Sequence, residues 1–394
     1  MKLLIRQHNN IFPMFAVAIL LAVSIVRIPV ADGYMRSLFQ MITEAGVFFL
    51  FAVFIYCFVN KWVGLFLALT VFSTIYPSFG KWSHMARGAV VVGCLWYTLI
   101  VLTVKDTRYL LNAICIIALA NIFFAILQYC NMDPYSVVTF GLMKSASSQI
   151  TGLMANKNML SALIAFSLPA FFRKRWVWFV PLIFYGLTIA SSTGGALSAV
   201  TMTFIYFFLK DGKGAVKKNA VAMIALSVWA CFFFFEIDSP FVVETVKSEY
   251  ALSENPNITI GGSAKQRQDA WVKGLKLYYQ NRPFFGYGIG HWKLVFKKIS
   301  PPGGSVMVQA HNEFVQGLFE MGVLFPVLVF GYFVGIIRRY RKEAILSATT
   351  IGIIALNSLV NFPFHVATTA ILAVTWMAIF EVQNKKARLI SSVQ

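Results

Sequence analysis

Residues 109–130 read YLLNAICIIALANIFFAILQYC, a stretch without a charged side chain that follows the basic residues Lys105 and Arg108. About 20 residues of apolar helix are enough to cross the roughly 30 Å hydrocarbon core of a bilayer. A helix satisfies its backbone hydrogen bonds internally, which a lone strand in lipid does not. The stretch therefore predicts a transmembrane helix whose basic end faces the cytoplasm.

The composition of the whole chain repeats this pattern. Of the 394 residues, 58% are hydrophobic and 12% are charged, whereas soluble globular domains carry about 25% charged residues. A soluble fold cannot bury that much apolar surface, so we predict an all-α, polytopic integral membrane protein with about twelve transmembrane helices. The predicted spans are 11–30, 40–60, 62–77, 88–104, 109–130, 158–172, 176–192, 195–209, 219–235, 314–337, 344–364 and 365–382.

The Lys and Arg residues between these spans test their number, because cytoplasmic loops of membrane proteins are enriched in both. With a cytoplasmic N-terminus, 19 basic residues fall on the cytoplasmic side and five in the short outer loops. We therefore predict that both termini are cytoplasmic. The long loop then lies outside, and its own basic residues do not contradict the rule, because loops of that length translocate largely regardless of charge.

This topology divides the chain into three parts. Residues 1–235 hold spans one to nine, residues 236–310 form a large extracytoplasmic loop, and residues 311–394 hold spans ten to twelve and a cytoplasmic tail. Residues 11–30 resemble a signal peptide, but the apolar run is longer than an h-region and lacks a clear small-residue cleavage site. We therefore expect a retained first helix.

The net charge of +19 could indicate nucleic-acid binding, which requires basic residues clustered on one soluble surface. Here they occur in short groups between apolar segments, so the charge mostly reports topology and no nucleic-acid partner is expected. The five cysteines lie within or at the ends of apolar segments and show no CxxC spacing. This pattern indicates neither a disulfide framework nor a zinc site.

The large loop contains a predicted amphipathic helix and a glycine-rich turn. The helix begins at Ser263 and runs through Gln280, with apolar side chains at spacings of three and four that suit a membrane interface. Arg267 lies one turn before Trp271 on the apolar face. The following FFGYGIGH, residues 284–291, is not preceded by the strand of a nucleotide-binding loop, so we interpret it as a sharp turn against the bilayer.

Four further polar residues lie within predicted spans or directly before them. His311 and Asn312 open the tenth span, and Glu320 follows about two turns deeper. An ionisable group inside a membrane is costly, so Glu320 is a functional-site candidate, with a structural hydrogen bond to a neighbouring helix as the alternative. Asn156 begins the sixth span and has the alternative of a helix cap.

Several short motifs occur in a characteristic order along residues 150–365. The order is Gly152 with Asn156-Lys157-Asn158, then Ser191-Ser192-Thr193-Gly194-Gly195, then Arg267 with Trp271, then Pro283 with Gly286-Tyr287-Gly288, and last His311-Asn312 with Glu320-Met321-Gly322. This order resembles the O-antigen ligase and polymerase superfamily.

The resemblance implies a glycosyltransferase of the bacterial inner membrane that takes its glycan from undecaprenyl pyrophosphate on the periplasmic face, without a cofactor. The favoured acceptor is the lipid A core, as in an O-antigen ligase, and the alternative is a polymerase that joins lipid-linked repeat units. The expected partners are this donor, the acceptor and membrane lipids. The resemblance places His311 at the reaction centre and Arg267 on the donor pyrophosphate. The candidate substrate-binding residues are Arg282, Glu320, Asn312, Lys265 and Asn156.

One position departs from the family pattern. Family members often carry Ser-Arg-Gly where this chain has Ser192-Thr193-Gly194, so a phosphate-contacting arginine is missing. Arg282, Lys265 and Arg27 are candidates to replace it, and the sequence does not choose between them. Alternatively, Arg282 is a solvated residue at the end of a helix. Arg27 alternatively forms an ion pair with Glu44 of the second span.

The implied chemistry makes physical sense for these residue types. A pyrophosphate leaving group needs charge neutralisation, which arginine provides with paired hydrogen bonds. A neutral imidazole at His311 can accept the proton of the acceptor hydroxyl or orient that hydroxyl, and His291 is expected to matter less. His365, between the last two spans, either lines the acceptor site or merely ends a helix. The outer loops offer no adjacent pair of carboxylates for a cation, so we predict metal-independent transfer with inversion at the sugar carbon.

A membrane transporter is the alternative from another class, because twelve spans and cytoplasmic termini are common there. Transporters often show two related halves with broken helices at matching positions. No internal repeat is found in this sequence, and the large loop between the ninth and tenth spans breaks a six-plus-six symmetry.

Overall fold

A computed structural model describes residues 52–53, 55–57, 59–75, 81–130, 132, 150–154, 156–190, 192–210, 262–282, 284–299, 309–340 and 344–393. The predicted spans 11–30 and 219–235, with Arg27 and Glu44, lie outside these residues. All regular structure within the described ranges is helical, which confirms the all-α class.

Helices follow one another along the described segments. They are α1 (Lys61–Ile75), α2 (Lys81–Thr103), α3 (Arg108–Tyr129), α4 (Lys157–Ser167), α5 (Val180–Ile189), α6 (Thr193–Lys210), α7 (Gly262–Asn281), α8 (Trp292–Ile299), α9 (Glu313–Met321), α10 (Leu324–Arg339), α11 (Ile345–Ser358) and α12 (Ala367–Val393). Short 3₁₀ turns cover Leu168–Phe172, Val177–Phe179 and Pro363–His365.

The chain divides into two units, and the first comprises Met1–Ile114 and Gly274–Gln394. In this unit α12 packs along α2 and α11, while α10 packs against α1 and α9. The Trp96 indole donates a 2.8 Å hydrogen bond to the Thr375 hydroxyl, which joins α2 to α12. Helix α9 also packs against α1, and Met321 at the end of α9 lies in one buried cluster with Leu69 of α1 and Phe325 of α10.

The second unit is Cys115–Lys273, and in it α4 packs against α5 and α6. This packing depends on a small residue, because a side chain at Gly195 of α6 would clash with Ser161 of α4. The Gln128 side chain accepts hydrogen bonds from the backbone N–H groups of Thr151 and Gly152, at 2.8 and 2.7 Å. These bonds hold the segment that leads into α4.

The lengths of the helices bear on the number of spans. Arg108–Tyr129 is the one helix among the described residues that is both long enough and apolar enough to cross a bilayer, and several shorter apolar helices accompany it. Large apolar side chains are nevertheless exposed along α10, at Val327, Phe330 and Ile337. The number of twelve transmembrane helices stays a prediction.

The predicted tenth span, 314–337, is wrong as a single helix. Helix α9 ends at Met321, Gly322 takes a left-handed φ of 73°, and α10 begins at Leu324. A side chain at Gly322 would clash with the carbonyl oxygen of Phe284, so the break lies where the glycine-rich turn approaches the backbone most closely. The apolar pattern continues through the break, which is why the sequence did not reveal it.

Candidate functional site

The glycine-rich turn after α7 packs against the last turn of α9. Gly286, Gly288 and Gly290 have φ values of 67°, 95° and 77°, a region that other L-residues rarely adopt. A Cβ atom on Gly286 would lie 2.6 Å from the Phe319 and Glu320 carbonyl oxygens. The predicted sharp turn is confirmed, and its glycines permit this close contact between backbones.

The carboxylate of Glu320 fastens this turn. It accepts hydrogen bonds from the backbone N–H groups of Gly290 (2.9 Å) and Trp292 (3.1 Å). It accepts a third from the Gln316 amide at 3.1 Å, while the Glu320 carbonyl oxygen accepts from the Gly288 N–H at 2.7 Å. The side chain is buried. A buried carboxylate is costly unless donors surround it, and here three do.

Gln316 lies one turn before Glu320 and is also buried. Its amide nitrogen is 3.0 Å from the Gln309 side-chain oxygen and 2.8 Å from Nε2 of His365. Its oxygen accepts a hydrogen bond from the Ala310 backbone N–H at 3.0 Å. The residue therefore joins α9 to the segment that precedes it and to the 3₁₀ turn near residue 365.

Glu313, at the start of α9, binds the same 3₁₀ turn. Its carboxylate accepts hydrogen bonds from the Phe364 backbone N–H at 2.8 Å and from Nδ1 of His365, 3.1 to 3.2 Å away. The Nε2 atom of the same His365 ring lies 2.8 Å from the Gln316 amide nitrogen. Glu313 therefore contacts both the backbone and a side chain of this turn.

His311 stands directly before the cap of α9 in a strained backbone conformation. Among the described residues it is the one non-glycine with positive φ, at 53°. Such a conformation costs energy and is concentrated at functional sites. The imidazole is half-buried and meets the Phe362 ring edge-on, with centroids 4.6 Å apart.

Asn312 caps α9. Its side-chain oxygen accepts hydrogen bonds from the backbone N–H groups of Phe314 and Val315, at 2.9 and 3.0 Å. Asn156 caps α4 in the second unit by accepting from the Asn158 N–H at 2.7 Å. Both asparagines thus have a local role that follows from their type, and their substrate-binding roles stay predictions.

The basic residues proposed to bind the donor lie on α7 and directly after its end. The Arg282 guanidinium carbon lies 5.8 Å from the Tyr287 ring centre, and Tyr287 stacks on Phe319 with centroids 4.6 Å apart. The side chains of Phe284 and Phe285, on the same turn, are exposed. Arg282 is therefore held beside an aromatic stack.

The predicted helix from Ser263 to Gln280 is confirmed as α7, although it begins at Gly262 and therefore includes Ser263 in its first turn. Arg267 is half-buried, and burial lowers the pKa of its guanidinium because a low dielectric disfavours the charged form. Lys273, on the same helix, is exposed. Lys265 lies in α7, and its side chain is outside the described part of the structure.

His291 is buried, and its Nδ1 donates to the carbonyl oxygens of Gly288 and Ile289, each 3.2 Å away. This position indicates a local role in the turn. Within the described ranges, no three His, Cys, Asp or Glu side chains are grouped so as to hold a metal ion. Metal-independent transfer stays a prediction.

Sequence reasoning missed Gln316 and the pairing of Glu313 with His365. The signal was present in the spacing, because positions 313, 316 and 320 differ by three and four and so share one face of a helix. Gln316 was not selected because only ionisable side chains within predicted spans were treated as candidates. Of the predicted residues, the first unit contains His311, Asn312, Glu320 and Arg282, and the second contains Arg267, Lys265 and Asn156.

Comparison with known proteins identifies the class. Residues 153–330 match the family model described as O-antigen ligase, which agrees with the resemblance to the O-antigen ligase superfamily. The matched range includes α7, the glycine-rich turn, His311 and α9. No curated protein gives a significant match to the chain.

The family match supports the coarse features that the resemblance implied. Members of the O-antigen ligase family are integral inner-membrane proteins, and the family supports glycan transfer of the ligase or polymerase type from lipid-linked glycans. The resemblance deduced from the order of the motifs is thereby confirmed.

Proposed function

We propose that this protein is a glycosyltransferase of the O-antigen ligase type, which moves a glycan from undecaprenyl pyrophosphate to the lipid A core at the periplasmic face. The observation that carries the proposal is the family match over residues 153–330, which contains the His311-Asn312 pair at the start of α9. A polymerase that joins lipid-linked repeats is the second candidate, since the family supports both.

The reaction needs a base for the hydroxyl proton and a cation that neutralises the leaving pyrophosphate. The acceptor hydroxyl oxygen attacks the anomeric carbon, the bond from that carbon to the phosphate oxygen breaks, and undecaprenyl pyrophosphate leaves with inversion. The neutral imidazole of His311 takes the hydroxyl proton. Arg267 neutralises the pyrophosphate, and its half-buried guanidinium gains more from an anionic partner than a fully hydrated one would. Neither role calls for a metal ion.

The membrane setting is part of the proposal. About twelve spans, cytoplasmic termini and a periplasmic loop over residues 236–310 agree with the distribution of Lys and Arg. The exposed apolar side chains of α10 suit contact with lipid. Reporter tags within residues 236–310 are expected to respond on the periplasmic side. A cytosolic response would separate the proposed residues from their donor and overturn the proposal.

Variants of the two proposed catalytic residues test the assignment. We expect His311→Ala and Arg267→Ala each to abolish glycan transfer in cells while the protein stays in the membrane at normal abundance. Lys273→Ala is the matched control for Arg267, because it removes an exposed cation from the same helix. Near-normal glycan product from either catalytic variant would show its assignment to be wrong.

Glycan banding in a deletion strain separates the two candidates. Loss of a ligase leaves bare core and accumulated lipid-linked chains, which is the expected result. Loss of a polymerase leaves single repeats on the core. Transport would instead show as solute uptake by proteoliposomes that contain no glycan donor.

A further inference from the structure

Among the described residues, the Gln316 side chain contacts both residues that immediately precede His311. The Gln316 oxygen accepts from the Ala310 N–H at 3.0 Å, and the Gln316 amide nitrogen lies 3.0 Å from the Gln309 side-chain oxygen. Both contacts fall on the two residues immediately before His311. They fix the backbone at the point where it enters the left-handed conformation of His311.

A second segment contacts the His311 ring. Phe362 meets the imidazole edge-on, and the following turn is bound to Glu313 through the Phe364 N–H and the His365 Nδ1. His365 then reaches Gln316 through Nε2, at 2.8 Å. One hydrogen-bonded network thus joins the backbone before His311 to the turn that follows Phe362, whose ring contacts His311.

Gln316 is the junction of this network. Its amide carries two N–H groups, and three acceptors lie within 3.1 Å of its nitrogen: Gln309, Glu320 and His365. Through Glu320 the network also reaches the glycine-rich turn. A glutamine suits this position because it donates and accepts at once and stays neutral between two carboxylates, Glu313 and Glu320.

We propose that Gln316, together with the Glu313–His365 pair, is a positioning residue that holds His311 for proton transfer. The inference rests on the proposed function, because it assumes that His311 is the group to be positioned. Misplacement of a catalytic group by about 1 Å costs on the order of a hundredfold in rate. Because the proposed role is to place the group that takes the proton and not to hold the donor, we expect the effect in kcat and not in KM for the donor.

The first experiment measures position without activity. Hydrogen–deuterium exchange of the peptide that covers residues 309–314 is compared in the wild type, Gln316→Met and Gln383→Met. Met fills the same volume without hydrogen bonds. Gln383 is the control, because it also makes a 2.8 Å side-chain hydrogen bond, to Ser347, on other helices. We expect faster exchange in Gln316→Met alone. Equal exchange in all three proteins would overturn the inference.

The second experiment is a double-mutant cycle in a transfer assay with purified, reconstituted protein. We expect Gln316→Met and His365→Phe each to lower kcat tenfold to about a hundredfold with KM for the donor unchanged. The double variant is expected to be no worse than the more damaging single variant, because both changes break the same chain of contacts. Gln383→Met is expected to keep wild-type kcat.

These outcomes separate the inference from the proposed function. If Gln316→Met fails to fold, His365→Phe decides by the same criteria, since its side chain lies at a turn and is partly exposed. Wild-type kcat in His365→Phe, or equal losses in Gln383→Met, would overturn the positioning role. A wild-type protein without transfer activity would instead overturn the proposed function, and the exchange experiment would still report on the network.

Discussion

Two buried polar clusters of the first unit differ in what they hold. On α9, Glu313, Gln316 and Glu320 direct their side chains at backbone N–H groups and at side chains of loops and turns. At the far end of α10, Arg339 donates to both oxygens of Glu381 on α12, at 2.9 and 2.8 Å. The first cluster fixes loops, whereas the second joins two helices.

The second cluster also includes Asn60, directly before α1, and Tyr97 of α2. Asn60 donates to Glu381 at 3.3 Å and to the Tyr97 hydroxyl at 3.1 Å. Its side chains come from helices or helix ends. The difference teaches that burial of a charged group alone does not mark a functional site. What matters is whether its partners carry reactive groups.

Apart from the variants of the two proposed catalytic residues, the largest effect on transfer is expected from Glu320→Gln. The amide retains one acceptor oxygen but turns an N–H group toward Gly290, Trp292 or Gln316, all of which donate. Each buried donor left without a partner costs about 1–3 kcal/mol. We expect transfer to fall about a hundredfold, measured with purified protein. Wild-type transfer would show that the carboxylate does not fasten the turn.

A smaller loss is expected from Gly322→Ala. The added Cβ clashes with the Phe284 carbonyl oxygen, and the left-handed φ of 73° strains any other residue. The glycine-rich turn must shift away from α9, so we expect transfer to fall roughly tenfold. Gly88→Ala is the control, because no atom of the described residues lies within 4 Å of the corresponding Cβ position on α2. Similar losses in both variants would contradict the predicted role of this close contact.

A still smaller effect is expected from loss of the cap of α9. Asn312→Ala removes an acceptor for two N–H groups, which costs about 1 kcal/mol, and Asn312→Ser restores most of it. If Asn312 acts only as a cap, transfer by the Ser variant stays within about twofold of wild type. A large loss in Asn312→Ser with unchanged thermal stability would favour the predicted substrate contact instead.

No change in transfer per folded molecule is expected from Arg339→Met, although the fold is weakened. The Glu381 carboxylate is left buried without its cation, which costs about 3–5 kcal/mol. Arg339→Met combined with Glu381→Leu is expected to recover much of that loss in a thermal unfolding assay. Loss of transfer in the folded Arg339→Met protein would contradict the claim that the second cluster affects stability alone.

Much of the fold was predictable from local patterns. Within the described residues, the apolar runs and the spacing of apolar side chains in 263–280 predicted helices that are present, because side-chain periodicity depends on neighbours in sequence. The break at Gly322 was not predictable in this way. It depends on the approach of Phe284, a residue distant in sequence, and no local pattern records such a contact.

The site was predictable to a lesser degree. The motif order led to the superfamily and to His311, because those residues keep their relative order in the chain. The network through Gln316 required three segments to meet, around residues 309–310, α9 and 363–365. Asn312 and Asn156 could have been assigned as helix caps from residue type alone, which their hydrogen bonds bear out.

The measurement that tests the central claim most directly uses purified protein, lipid-linked glycan and lipid A core acceptor, with the product identified by mass spectrometry. The wild type is expected to join the glycan to the acceptor and release undecaprenyl pyrophosphate, with or without EDTA, and His311→Ala is expected to form no product. The same product at an unchanged rate from His311→Ala would contradict the assignment of the reaction centre.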